Sequence, residues 1–422
     1  MEISLQHNII LRRWRNTTTT LIEKEPNQPF VHRMRAIHII EAEVQFLAKN
    51  FYVTKLMKGA ETKELITDEQ YGGRARRQAQ SAVINKVLYY NLSHQMLMPA
   101  AFMDDDARAC YDRIITPLSS LECRKWGAPY ALTKFTNTFI ENQTYSIKTG
   151  HGISQGTYKY TTSDPIQGSG QGIGWAGPRW LCSGDTCSRI MAKTGTGMYF
   201  HDPTYSLKVR KQGDYFALNT LRNDQKTIFD QLNFIEQLHS YILFSLGHKL
   251  ALDKCSFYAA DYTRGKLKHE HKLIHELPGS ILVRETHTST PISVKRLQPF
   301  QAHKTLGCHI ALNFNQGMQF RKIHSKLEQW NSKVRSSFLS ATEKIKSYNA
   351  YTSKGVEYVV PTSSMSEKQY NELDKLVTPI LYHAHNIQKN NSKCILYSPQ
   401  KYGGFGHKSI WHMQGIAKLK YF

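Results

Sequence analysis

The chain has 422 residues, 40% hydrophobic and 21% charged, which is more than one single-core domain usually holds. Its 55 Lys and Arg outnumber 33 Asp and Glu, a formal charge of +22 that argues for a polyanionic partner, nucleic acid ahead of an anionic membrane surface. No run of about 18 apolar residues suits a membrane span, the start MEISLQHNIILRRWRN lacks a signal-peptide pattern, and seven Cys without any Cys-x-x-Cys argue against a disulfide framework and for a reducing, intracellular setting, nuclear or cytoplasmic.

The expected elements run as follows. Residues 33–50 pass from strand-like to helical spacing. SAVINKVLYYNLSHQML (81–97) reads as an amphipathic helix. AAFMDDDARACYDRI (100–114) runs from a short apolar strand through an acidic turn into a helix, which LSSLECRKWGAP continues until Gly127 and Pro129 stop it. KFTNTFIENQTYSIKT predicts a helix leading into a strand. Residues 161–178 are Gly-rich and read as a loop, and YSLKVRKQGDYFALN suggests a hairpin. Residues 227–247 form a long amphipathic helix ended by Gly247, and the polar, basic stretch 262–295 reads as an inserted loop or ribbon. Within it, KHEHKLIHEL, with His269, His271 and His275, reads as a solvated polar segment, not a metal site. The last hundred or so residues are mainly helical. Helices and short strands without strict βαβ alternation give an α+β core followed by a helical C-terminal part.

Basic runs recur: LRRWR, GGRARRQ, KVRK, RGKLKHEHK and VKRL. Exposed aromatic rings beside such runs can stack on bases, while most of the 23 Tyr and 18 Phe belong to the core. Gly172-x-Gly174-x-x-Gly177 formally matches the dinucleotide fingerprint, but TTSDPIQGSG before it is no strand, so the match fails in context.

The strongest local signal is FMDDDARACYDRI. Asp104, Asp105 and Asp106 repel one another, a costly arrangement unless solvated or shared with a cation. The alternative is an acidic helix N-terminus favoured by the helix dipole.

Asp106, followed by Tyr111 and Asp112, resembles motif A of reverse transcriptases, especially the non-LTR retrotransposon type. The resemblance implies that Asp106 binds two catalytic metal ions and that Tyr111 is the steric gate against a ribose 2′-hydroxyl. The other segments follow the same family order. LIEK and HRMRAIHII are similar to the fingers segments, so Lys24 and Arg35 would meet the incoming triphosphate, where charge must be stabilised. DEQYGGRARRQAQSAV (68–83) is similar to the stretch before the palm. GQGIGWAGPRW (170–180) resembles motif B, whose Gln171 and Gly172 would lie beneath template and nucleotide. LALDKCSFY resembles motif D, with Lys254 as proton donor to pyrophosphate. KTLGCHIAL (304–312) resembles the primer grip, and LYSPQKYGGFGHKSI (396–410) a segment after the thumb.

The resemblance implies a right-hand polymerase: fingers at 1–99; a palm at 100–312 built as an antiparallel sheet on helices, with a fingers insertion around 120–165 and the basic loop 262–295; and a helical thumb at 313–422. It implies Mg2+ or Mn2+, deoxynucleoside triphosphates, an RNA or DNA template-primer and no membrane partner. Motif C should carry two adjacent Asp, yet QGDYFALNT supplies only Asp214. In one register Phe216 and Ala217 stand at the Asp positions; in the other Asp214 is the first Asp and Tyr215 replaces the second. Asp214 is therefore the second metal-binding candidate, and Asp104 or Asp105 a candidate substitute; Asp185 has no place in the pattern. Two functions stay open: template-directed DNA synthesis by two-metal nucleotidyl transfer, intact or impaired, or a catalytically inactive nucleic-acid-binding descendant. The sequence also reads as a fragment of a longer element protein, with no endonuclease domain in it.

Overall fold

A computed structural model describes residues 2–24, 27–28, 30–161, 168–194, 228–265 and 269–420. The chain divides into two structural units.

The first unit comprises 1–77, 100–257 and 279–296. Its β-branched run Asn16–Glu23 pairs antiparallel with Met34–Ile39, from Thr18–Ile39 to Glu23–Met34. Threonine and isoleucine suit this half-buried pleated surface. The same strand pairs in parallel with Thr144–Thr149, and Gly152–Ile153 completes a four-stranded sheet. Behind it, Trp14, Val44, Leu47, Tyr52, Phe135, Phe139 and Trp175 form one buried core cluster. Trp14, inside the basic run LRRWR, belongs to that core: it is 2% exposed, and its Nε1 donates to Glu43 at 2.7 Å.

Strand Ala100–Asp104 is buried at every position and neighbours strand Ser256–Ala260 in a three-stranded sheet closed by Lys295–Arg296. Lys295 and Arg296 pair in parallel with Ser256 and Phe257, so the described sheet is not the purely antiparallel one expected. Three helices belong to the same unit: Thr116–Lys125, Ala176–Lys193 and Ile228–Ser245. The first does not continue from the acidic turn, because Ile115 is extended and Pro117 sits in the first helical turn, where its missing N–H costs nothing. Gly247 ends the third at φ +85°; a Cβ there would lie 2.4 Å from Ile115.

The second unit comprises 78–99, 258–278 and 297–422. Helices Ala79–Gln95, Gly317–Arg335 and Glu367–Ala384 carry it, the last started by a capping box of Ser366 and Gln369. Hairpin His303–Thr305/Cys308–Ile310 turns at Leu306 and Gly307, both at positive φ. The Lys86 ammonium, 1% exposed, reaches Thr305 Oγ1 at 2.8 Å. His271 is not solvated as expected. Its ring packs on Tyr262 at 4.8 Å and His94 at 5.3 Å, and burial lowers its pKa to about 4.

Asp374, 4% exposed, accepts the Ile410 N–H at 3.0 Å, and burial raises its pKa to about 6. The unfolded carboxyl titrates near 3.9. Below pH ~4 both states are protonated and nothing is lost. Between pH ~4 and ~6 only the unfolded chain releases its proton, so stability falls as pH rises and the loss is complete above pH ~6. Asp374→Asn keeps an acceptor for Ile410. Urea unfolding should find it about 2 kcal/mol more stable than the parent at pH 7 and equal to it at pH 4.

Candidate active site

All the described site candidates lie in the first unit. Asp106 follows the buried strand Ala100–Asp104. Its backbone oxygen accepts the Ala251 N–H at 2.7 Å, Ala107 bridges to Leu250, and Arg108 N–H reaches the Lys249 carbonyl at 2.8 Å. This backbone pairing delivers Lys254 to Asp106: Nζ stands 3.3 Å from Oδ2, with both side chains more than half exposed. The carboxylate and ammonium thus meet at the surface end of a rigid strand, where charged groups keep their hydration.

Its two acidic neighbours are sequestered. Asp104 is 8% exposed. The Asp105 side chain is 4% exposed and holds His239 Nδ1 at 2.9 Å. Asp105 and Asp106 lie past the last residue of the strand; the Asp105 side chain turns inward to His239, and Asp106 stays at the surface beside Lys254. Asp105 accordingly serves an interior cluster and does not accompany Asp106.

Tyr111 and Asp112 lie in a short 3₁₀ turn, Cys110–Arg113. The Tyr111 carbonyl accepts the Ser169 N–H at 3.0 Å, and a Cβ on Gly168 would stand 2.8 Å from the Asp112 Cα. The Gly-rich segment therefore packs directly on the end of the acidic motif, which only glycine permits there. Burial raises the pKa of Asp112, and the positive charge of Lys24 opposes that rise. Lys24 follows the first strand, Arg35 lies on the second, and both are exposed.

Gln171 and Gly172 sit against that second strand. The Gln171 carbonyl accepts the His38 N–H at 2.8 Å. Gln45 clamps the turn: its amide donates to Gly172 O and accepts Gly174 N–H, each at 3.0 Å. Gly172 has φ +102°, and a Cβ there would meet Ile37 Cγ2 at 3.0 Å and the His38 carbonyl oxygen at 3.1 Å. The carbonyl belongs to a paired strand and cannot move aside cheaply. Gly172→Ala should cost roughly 1–3 kcal/mol in a denaturant titration.

Between these segments lies a cavity of about 530 Å³, walled by Asp112, Gly168–Gly170, Thr17, Ala36 and His38, and by Tyr145, Tyr158 and Tyr160. Tyr145 and Tyr158 stack at 5.0 Å between centroids. Burial lowers the pKa of His38, whose Nδ1 lies 3.0 Å from Thr19 Oγ1.

Other singled-out residues are structural. Arg74, in the GGRARRQ run, is fixed bidentately by Glu61 at 2.7 Å and by the carbonyls of Thr67 and Gln70. Asp185 is 3% exposed; it accepts Thr67 N–H at 2.8 Å and pairs with Arg189 at 2.7 Å, which explains an acid that the motif pattern leaves over. Asp214, with the hairpin expected around it, lies outside the described residues. Sequence reading missed Glu236 and His239, which join Asp105 in the interior, and Gln45. Glu236 and His239 sit three apart on one helix, a spacing too common to stand out without the partner that faces it.

The chain matches no protein-family model, and no curated protein is significantly similar to it. Among solved structures it is similar to telomerase from Candida albicans in complex with a TWJ fragment of telomeric RNA, at 14% identity and TM-score 0.40, covering 92% of this chain and 66% of that one. It is also similar to apo telomerase from Candida tropicalis truncated from its C-terminal domain, at 10% identity and TM-score 0.37, covering 63% of this chain and 56% of that one. A third likeness is to Candida tropicalis telomerase with the TWJ fragment, at 11% identity and TM-score 0.38, covering 90% and 63%. The chain spans less than two thirds of the length of each, and at these scores no residue role is taken from them.

Proposed function

We propose that this chain is a reverse-transcriptase-like nucleotidyl transferase that extends a nucleic-acid primer from deoxynucleoside triphosphates. The observation that carries the reading is the exposed Asp106 carboxylate at the end of a buried strand, 3.3 Å from Lys254 Nζ, in a chain whose motif-like segments occur in the family's order. Asp106 would hold Mg2+ or Mn2+ and so align the primer hydroxyl and the triphosphate. Lys254 would deliver a proton to the leaving pyrophosphate. Lys24, just past the first strand, and Arg35, on the second, both exposed, would neutralise phosphate charge. Tyr111 would exclude the 2′-hydroxyl, and the segment around Gln171 and Gly172 would bear the template. The formal charge of +22 suits the nucleic-acid backbone.

A second reading has its own observation. Among the described residues, Asp106 belongs to no cluster of metal-ligating side chains; its ion-pair partner is an ammonium. That arrangement fits an inactive protein that binds nucleic acid without catalysing on it. One experiment separates the two: extension of a primer on an RNA and on a DNA template with Mg2+ or Mn2+, run beside binding to the same duplexes at several salt concentrations. Extension supports the first reading. Salt-sensitive binding with no product under either ion supports the second, and absence of both overturns each.

A further inference from the structure

We propose that Asp105, Glu236 and His239 form an interior site for one divalent transition-metal ion, separate from the surface carboxylate of Asp106. The proposal does not depend on nucleotidyl transfer. One ligand atom from each of the three residues lies within 4.8 Å of the others. Glu236 and His239 stand at i and i+3 on helix Ile228–Ser245, the Glu-x-x-His spacing that projects a carboxylate and an imidazole to one side. Asp105 meets them from the end of strand Ala100–Asp104.

The decisive observation is Glu236. It is fully buried, and neither of its carboxylate oxygens has a hydrogen-bond partner among the described residues. The second oxygen of Asp105 is also without one, while the first holds His239 Nδ1 at 2.9 Å. A buried carboxylate in that state is costly and needs a proton or a cation. One proton shared between the two carboxyls satisfies a single oxygen pair and leaves the remaining acceptors bare. One divalent ion takes a lone pair from each of the three ligands and neutralises both carboxylates.

The donor set selects the ion. Two oxygens and an imidazole suit Zn2+, Co2+ or Mn2+, whereas Mg2+ and Ca2+ prefer oxygen alone. Metal–ligand distances of about 2.0–2.2 Å require the cluster to tighten by rotamer adjustments and the Asp105–His239 hydrogen bond to yield.

The test uses the full chain, stripped with a chelator, dialysed against Zn2+, Co2+ or Mn2+ and assayed for bound metal by mass spectrometry. The parent and Asp106→Ala should each hold one equivalent, and Glu236→Gln and His239→Ala should lose it. Uptake of none of the three ions by the parent overturns the site, as does a full equivalent retained by Glu236→Gln. X-ray absorption of the zinc-loaded parent gives an answer that needs no folded variant: one imidazole in the first shell is expected, and none or several overturns the assignment.

Discussion

Asp106→Ala should abolish primer extension while leaving the fold and the nucleic-acid affinity in place. Asp106 would hold the divalent metal that supplies two-metal catalysis, so its removal should cost at least ~10³-fold in rate, about 4 kcal/mol of transition-state stabilisation. Stability should change little, because the ion pair with Lys254 is more than half exposed on both sides and exposed pairs contribute ~1 kcal/mol or less. Lys254→Ala should reduce extension about 10²-fold, the lower range for a lost proton donor, with binding unchanged. Single-turnover extension and filter binding, run on the same preparations, measure both. An Asp106→Ala protein that extends primers as fast as its parent would refute the assignment of this residue, and unfolding of that variant would refute its surface role.

Arg179→Ala should be the most damaging single change to the first unit. The guanidinium is fully buried on helix Ala176–Lys193. Its Nε donates to Ser119 Oγ at 2.8 Å, and one terminal nitrogen reaches Thr116 O at 2.7 Å, Ser120 Oγ at 2.8 Å and Asn137 Oδ1 at 3.1 Å. The helices Thr116–Lys125 and Tyr130–Glu141 are thereby tied to the third through one side chain. Burial raises the pKa of Glu122, while Ser183 and the nearby Arg179 charge oppose that rise. Truncation leaves several buried acceptors unpaired and a cavity the size of the side chain. A loss of about 3–5 kcal/mol follows, and a guanidinium titration should show it. Arg179→Lys should recover little, since one ammonium does not span acceptors on two helices. A loss below about 1 kcal/mol would contradict this network.

Much of the fold was legible because its signals are local. The apolar spacing located strand Ala100–Asp104 and helix Ile228–Ser245, and Gly168, Gly170 and Gly172 make the close approach expected of the Gly-rich stretch, although helix Ala176–Lys193 begins inside the span read as loop. Backbone pairing brings Lys254 to Asp106 although about 150 residues separate them, and only the assumed motif order anticipated that. What remained hidden depends on long-range register. Nothing in the run of three Asp says which of them faces inward; Asp105 meets Glu236 and His239, which come from a helix far along the chain. Trp14 was invisible as a core residue for a similar reason, since a basic run says nothing about which of its members turns under the sheet. The parallel pairing of Lys295–Arg296 has no local signature at all. Asp214, the residue on which the motif C reading turns, lies outside the described residues, so the structure adds nothing to either register.

The exposed pairing of Asp106 with Lys254 has an evolutionary consequence. Folding depends little on either side chain, so on the proposed function it is catalysis that would hold them in place through generations of mutation. Arg179 and Asp185 are locked into the architecture and would persist in a descendant that had stopped catalysing. Comparison of sibling copies can therefore date the loss or survival of activity: where selection on catalysis has lapsed, Asp106 and Lys254 should drift while Arg179 and Asp185 stay, and where it continues, all four should be retained together.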